Sequence, residues 1–212
     1  EADEQQINLT RFSLFFPEKR DFFLENQGMF GFGGATTSST SAASDTPVLF
    51  YTRQIGLDQG RAVPIQVGGR MTGRVGRYTL GVLDIRSGNE PTFGARATTF
   101  SVVRVRRDVL RKSSLGLMYT GRSLSQRSRD GSNQAFGVDG TFGFFNNLAI
   151  NTYWARTRTP GLDGDDTSYR AQLDYAGDRY GVQVEQLRVG SHFNPEVGFV
   201  RRVEDVKLLP QA

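Results

Sequence analysis

Eight charged residues stand out by type and spacing: Arg70, Arg74, Arg104, Arg106, Asp139, Arg170, Asp174 and Glu185. Each falls on the polar side of a stretch in which apolar and polar residues alternate. Arginine carries a planar fork of donors that grips carboxylates and phosphates bidentately, and it tolerates partial burial better than lysine. Two roles follow: a charged lining that selects anionic or sugar-like solutes, or a salt-bridged network that fills a narrow interior. The three carboxylates raise a third, glycoside hydrolysis, which needs two carboxyls about 5–9.5 Å apart with one pKa raised. Neighbouring arginines lower carboxyl pKa values, which weighs against that chemistry, and no catalytic residue is assigned.

Other chemistry is thin. The 212 residues contain no cysteine, which removes disulfides, thiolate metal sites and cysteine nucleophiles. His192, the one histidine, lies in SHFNP and reads as a loop residue. Asp163, Asp165 and Asp166 in DGDD could gather oxygens for calcium, but the twelve-residue calcium loop is absent and a solvated loop is the expectation. No metal or cofactor is expected. Gly31, Gly33 and Gly34 lack the following strand-turn-helix that a nucleotide loop needs. The net charge of +4 and RVRR at 104–107 invite a nucleic-acid reading. With no recognition helix and no base-stacking motif, nucleic acid is not an expected partner.

The elements that must position these residues are strands. Glycine is abundant at 25, and aromatics reach 11% with 16 Phe and 7 Tyr, a balance that suits an all-β chain with many turns. The pattern predicts about ten strands: 47–56, 62–75, 78–87, 93–107, 113–122, 134–145, 148–159, 167–175, 180–190 and 197–206. Turns are predicted at Gly76-Arg77, near Asp108 to Lys112, at Asn146-Asn147 and at AlaGlyAspArg, residues 176–179; glycine and asparagine accept positive φ. At 78–86, Leu80, Val82, Leu83 and Ile85 put apolar groups on both faces, so that strand has no assigned face.

Ahead of the strands, INLTRFSLFF at 7–16 reads as a strand and PEKRDFFLEN as a short helix over about 17–26. Phe16, Pro17, Glu18, Lys19, Arg20, Phe22 and Phe23 form a segment suited either to plugging an interior or to packing as an amphipathic helix on the sheet. Residues 31–46, small and polar, read as a mobile loop. The predicted organisation is therefore a plug region over 1–30, the loop over 31–46 and a strand-built body over 47–212.

What the apolar faces touch decides the class. No run approaches the roughly 18 apolar residues of a transmembrane helix, whereas a transmembrane strand needs only about 9–11 residues, half of them polar. The predicted strands exceed the usual 5–6 residues, short turns alternate with longer loops, and Tyr78, Tyr119, Phe144, Phe145, Tyr153, Trp154, Tyr175 and Tyr180 cluster near strand ends. An antiparallel transmembrane β-barrel with a short N-terminal helix is the expected fold, and the eight charged residues are then lumen-lining. A water-soluble sandwich with its greasy faces packed together is the alternative.

The stretches NLTRFSLFFPEKRDFFLEN, LFYTRQIGL with VPIQVGGRMTGRVGRYTLGVLDIRSG, TTFSVVRVRRDVLRKSSLG and GSHFNPEVGFVRR occur in order over positions 8 to 202. In them the chain resembles an outer-membrane family of bacteria, domain of unknown function 5916, which follows a carbohydrate-binding family 9-like module. The resemblance implies an outer-membrane location with lipid and lipopolysaccharide as partners. It also implies a barrel that continues past GSHFNPEVGFVRR, so this chain is expected to be a piece of a larger one, completed by further strands or envelope proteins. Some relatives carry a hydrolase label. The resemblance implies a barrel of unknown activity; the expected function is a non-catalytic pore, anchor or assembly scaffold, with glycan or anionic solute uptake as one role. A membrane-associated glycan hydrolase and a soluble glycan-binding module are the alternatives.

Overall fold

The computed structural model describes residues 16, 18–34 and 46–200, and the backbone of 207–211. The chain is all-β. A two-residue hairpin, β1 (Leu57–Asp58) with β2 (Arg61–Ala62), precedes the main strands: β3 (Ile65–Val75), β4 (Tyr78–Ser87), β5 (Thr98–Leu110), β6 (Ser113–Arg122), β7 (Asn133–Phe144), β8 (Leu148–Arg158), β9 (Thr167–Ala176), β10 (Gly181–Val189) and β11 (Lys207–Gln211). The nine pair antiparallel in strict chain order from β3 to β11. The sheet is open, with β3 and β11 at its edges, so the described strands do not close a barrel. No helix among the described residues is long and apolar enough to cross a membrane.

Strand pairing in sequence order sorts the connections. Short turns at 76–77, 111–112, 145–147 and 177–180 lie at one end, and longer connections at 88–97, 123–132 and 159–166 lie at the other. Gly76 takes φ 59° in the first turn, as its type predicts. In the third, Phe145 rather than either asparagine adopts the left-handed conformation, at φ 56°. The register Phe144↔Leu148 puts Phe145 first in that turn, and pairing outweighs local preference.

Four expected elements differ, among them the strand expected at 197–206: of its described residues, 197–200, only Phe199 bridges, and β10 pairs instead with β11, while 201–206 lie outside the described residues. The predicted helix is a single turn, Asp21–Leu24, because Arg20 at its start offers no side-chain cap and Asn26 turns left-handed just beyond it. The strand expected at 47–56 is a covering segment with a 3-10 turn at Thr52–Gln54 and one bridge, Val48↔Phe199. Leu49, Phe50, Tyr51 and Ile55 are all buried there, leaving no solvated side for a half-exposed strand. Within the predicted mobile loop, residues 31–34 are docked on the sheet, with Phe32 buried. The strand expected at 7–16 lies outside the described residues except for Phe16, and so do 35–45 of the loop.

The registers assign every strand a face. Leu83 and Ile85 lie on the face covered by the chain itself, with Phe100, Val102, Met118, Ala135, Ala155, Leu187 and Val189. Leu80 and Val82 lie on the opposite face, which settles the strand left unassigned by its pattern. The cover consists of residues 18–34, 48–55 and 193–197, which contribute Phe23, Phe30, Phe32, Leu49, Phe50, Ile55, Phe193 and Val197 to the core. This core fills the half of the covered face nearest the long loops.

Candidate functional site

The other half of the covered face is charged, and here a strap, residues 18–34, crosses the sheet from β3 to β9. Strap and sheet meet through arginine. Arg70 on β3 donates to the carbonyls of Phe22 and Glu25, the latter at 2.6 Å, and pairs with the Glu25 carboxylate. Asn26 donates to Thr72 at 3.1 Å. On β5 and β7, Arg104 grips Asp139 through two bonds of 2.5 and 2.8 Å, and Asp139 accepts the Gly33 amide at 3.2 Å. Arg170 on β9 pairs with Glu185 at 2.7 Å and donates to the Gly33 carbonyl at 3.4 Å. The sheet thus holds the strap largely by its backbone, through Arg70 and through the Arg104–Asp139 and Arg170–Glu185 pairs.

Two glycines make room for the strap's rings. A Cβ at Gly81 would lie 2.9 Å from the Phe30 ring, and one at Gly137 would lie 2.5 Å from that of Phe32. Phe32 also packs on Tyr153, centroids 5.5 Å apart, beneath the Arg104 guanidinium. The Tyr153 hydroxyl is hydrogen-bonded to Ser168 at 2.9 Å. Neither glycine was singled out by sequence, because a strand glycine also fits a bulge or a weak point.

The strap begins with a compact knot. Glu18 accepts from Arg20 Nε and Nη2 at 2.9 and 2.8 Å, and from the Lys19 and Arg20 amides at 3.0 and 2.9 Å. Arg20 also donates to the carbonyls of Ile55 and Thr52 and covers the Phe23 ring at 4.2 Å. Burial alone would raise the Glu18 carboxyl, but these donors outweigh it and bring its pKa down to about 2. Phe16 exchanges bonds with the Tyr51 hydroxyl at 2.9 and 2.6 Å, and Phe22 lies partly exposed under Arg70. Pro17 lies outside the described residues.

All eight charged residues singled out by spacing share the covered face. Five converge on the strap: Arg70, Arg104, Asp139, Arg170 and Glu185. The other three sit nearer the short turns. Arg74 pairs with Asp108 at 2.6 Å, the Arg106 Nε is buried without a hydrogen bond among the described residues, and Asp174 accepts from Gln172 at 3.1 Å. Asp139 is engaged by Arg104 and Glu185 by Arg170.

The loop end holds a network that sequence spacing did not reveal. Buried Arg122 donates to the Leu124 carbonyl at 2.8 Å and faces Asp58 at 3.4 Å, and Asp58 pairs with Arg129 at 2.8 Å. Glu196 accepts from Ser125 and the Gln126 amide, both at 2.7 Å. These bonds tie the β1–β2 hairpin, the 123–132 loop and the 193–197 cover together across more than 60 residues, a separation no local motif encodes. His192 Nδ1 meets the Asp163 and Gly164 carbonyls, both at 2.9 Å, as a loop residue would. Asp165, its pKa lowered first by the Ser191 amide, and Asp166, paired with Arg156, are spent on loop contacts. No group of three or more metal-ligating side chains occurs among the described residues.

The opposite face is bare. Val67, Met71, Val75, Leu115, Leu117, Val138, Leu173, Val182 and Val184 are all exposed, Leu117 by 57% and Met71 by 65%. Registers order this surface in bands. Tyr119, Phe136, Trp154 and Tyr169 form a row toward the loop end, and Tyr78, Phe144 and Tyr175 form another beside the short turns. Between them the surface is chiefly aliphatic. Beyond the first row it turns polar, with Asp84, Arg86, Arg156, Arg158 and Arg188 within three residues of the long loops. No protein-family model, curated protein or solved structure matches the chain.

Proposed function

We propose that this chain is a section of the wall of a bacterial outer-membrane β-barrel, with its own N-terminal strap held against the lumen face as a plug. The observation that carries this reading is the bare face: an aliphatic band between two aromatic rows, with charge confined to the strand ends. Water gives no reason for that arrangement, whereas a bilayer asks for aromatics at headgroup level and aliphatic side chains between. From Phe136 to Phe144 the band runs about 27 Å along β7, or about 20 Å upright at a 40° tilt, close to the roughly 25 Å apolar height of such barrels. Short turns at one end and long loops at the other fit the periplasmic and external sides.

The charged face fits a lumen for the complementary reason, since an arginine toward lipid at mid-depth costs about 2–4 kcal/mol. Open edges at β3 and β11 would leave backbone groups unpaired in hydrocarbon, so further strands complete the barrel. The resemblance of four stretches to an outer-membrane family, read from sequence alone, points the same way. The function is a plugged, non-catalytic pore, anchor or assembly scaffold with lipid and lipopolysaccharide as surroundings. Glycan or anionic-solute uptake is the transport role the arginines suit.

Purified protein tests this directly. The expected result is folded protein only in detergent or lipid, with electrophoretic mobility that changes on heating. A monodisperse, folded monomer in plain buffer would overturn the proposal.

A further inference from the structure

The bare face is not uniform. A hollow of about 580 Å³ opens in it across β5 to β8, walled by Val105, Leu115, Leu117, Val138, Phe142 and Trp154. That volume lies within the range of ligand pockets. Gly140 leaves the floor low, and the Phe142 ring leans over the space a Cβ there would take, 2.7 Å away. The short-turn end of the hollow is rimmed by Tyr78 and Arg107.

Arg107 lies on the bare face, its guanidinium 5.3 Å from the Tyr78 ring centroid. Among the described residues no carboxylate pairs with it, nor with Arg77 or Arg111 in the adjoining turns. The nearby Asp108 is taken by Arg74. The hollow therefore offers an apolar trough about 15 Å across three strand spacings that ends at unneutralised positive charge.

Resting on the barrel-wall reading above, we infer that this hollow binds one anionic phospholipid, an acyl chain in the trough and its phosphate on Arg107. The phospholipid, rather than lipopolysaccharide, is the occupant because Arg107 sits at the short-turn end, which that reading puts in the periplasmic leaflet. Arginine suits the phosphate as a bidentate donor, and Tyr78 beneath it fixes the guanidinium at the interface.

Trp154 is the sole tryptophan and lines the trough, so its fluorescence reports occupancy. The full chain is reconstituted in phosphatidylcholine vesicles containing a small fraction of phosphatidylglycerol with brominated acyl chains, and compared with equally brominated phosphatidylcholine. One arginine at the surface gives about five-fold stronger apparent association of the anionic lipid, read as quenching. Arg107→Gln should remove that excess and Arg107→Lys should keep part of it. Equal quenching by both lipids, or an excess that survives Arg107→Gln, overturns the site while leaving the barrel wall standing. Absence of quenching by either lipid removes the barrel wall, and the site with it.

Discussion

The two faces of the sheet are built from the same alternation, yet one is covered by its own chain and the other is bare. The difference lies in what each offers a covering segment. The covered face supplies seats, Gly81 under Phe30 and Gly137 under Phe32, and donors such as Arg70 that satisfy the strap's carbonyls. The bare face also has small residues, Gly69 and Gly73 on β3 and Gly140 on β7, but its charges lie at the strand ends, so it offers a strap's backbone no donors along its middle. A strap laid across it would leave its own backbone groups unbonded, at about 1–3 kcal/mol for each one buried. Alternation thus makes two faces, but polar satisfaction decides which one a polypeptide covers.

The comparison breaks most readily at the centre of the covered face. Arg104 is 2% exposed and Asp139 11%, so Arg104→Ala strands a carboxylate that also holds Gly33. A loss of about 3–5 kcal/mol is expected from the denaturation midpoint in detergent, with tryptic cleavage after Lys19 or Arg20 as the strap lifts. Next in size is the bare face itself. Leu117→Arg should cost about 2–4 kcal/mol in bilayers if lipid covers that position, against about 0.5 kcal/mol or less if water does. Parallel stability curves in vesicles separate the two.

The smallest effect is acid-dependent. The Glu18 pKa falls from the ordinary 4.5 to about 2 in the fold, so its contribution is complete above pH 4.5 and fades as pH falls toward 2. The stability gap between the native chain and Glu18→Gln should be constant above pH 5 and close by pH 2. A gap that persists unchanged at pH 2 would show that the Glu18–Arg20 knot does not fasten the strap.

Much of the sheet was legible because strand periodicity is local. β3 to β10 follow the predicted strands within a few residues, except that β5 (Thr98–Leu110) begins and ends later than 93–107. The shared face of Arg70, Arg104, Asp139, Arg170 and Glu185 was readable from parity alone. What they grip was not. Asp139 meets Gly33 across 106 residues, and Arg170 meets it across 137. Phe32 was hidden because a glycine- and serine-rich stretch reads as mobile unless something distant anchors it. The segment at 47–56 was misread because a run buried on every side looks like a strand by composition.

The sequence by itself determined the class of structure and the division of most strands into an apolar and a charged side, since both follow from a two-residue period and steric preference. Only the tertiary structure decided which side the chain covers, that arginine pairs clasp a strap there, and that the described sheet stays open. Those outcomes depend on contacts between residues far apart in the chain, where geometry across the whole sheet, rather than any local propensity, sets the energy.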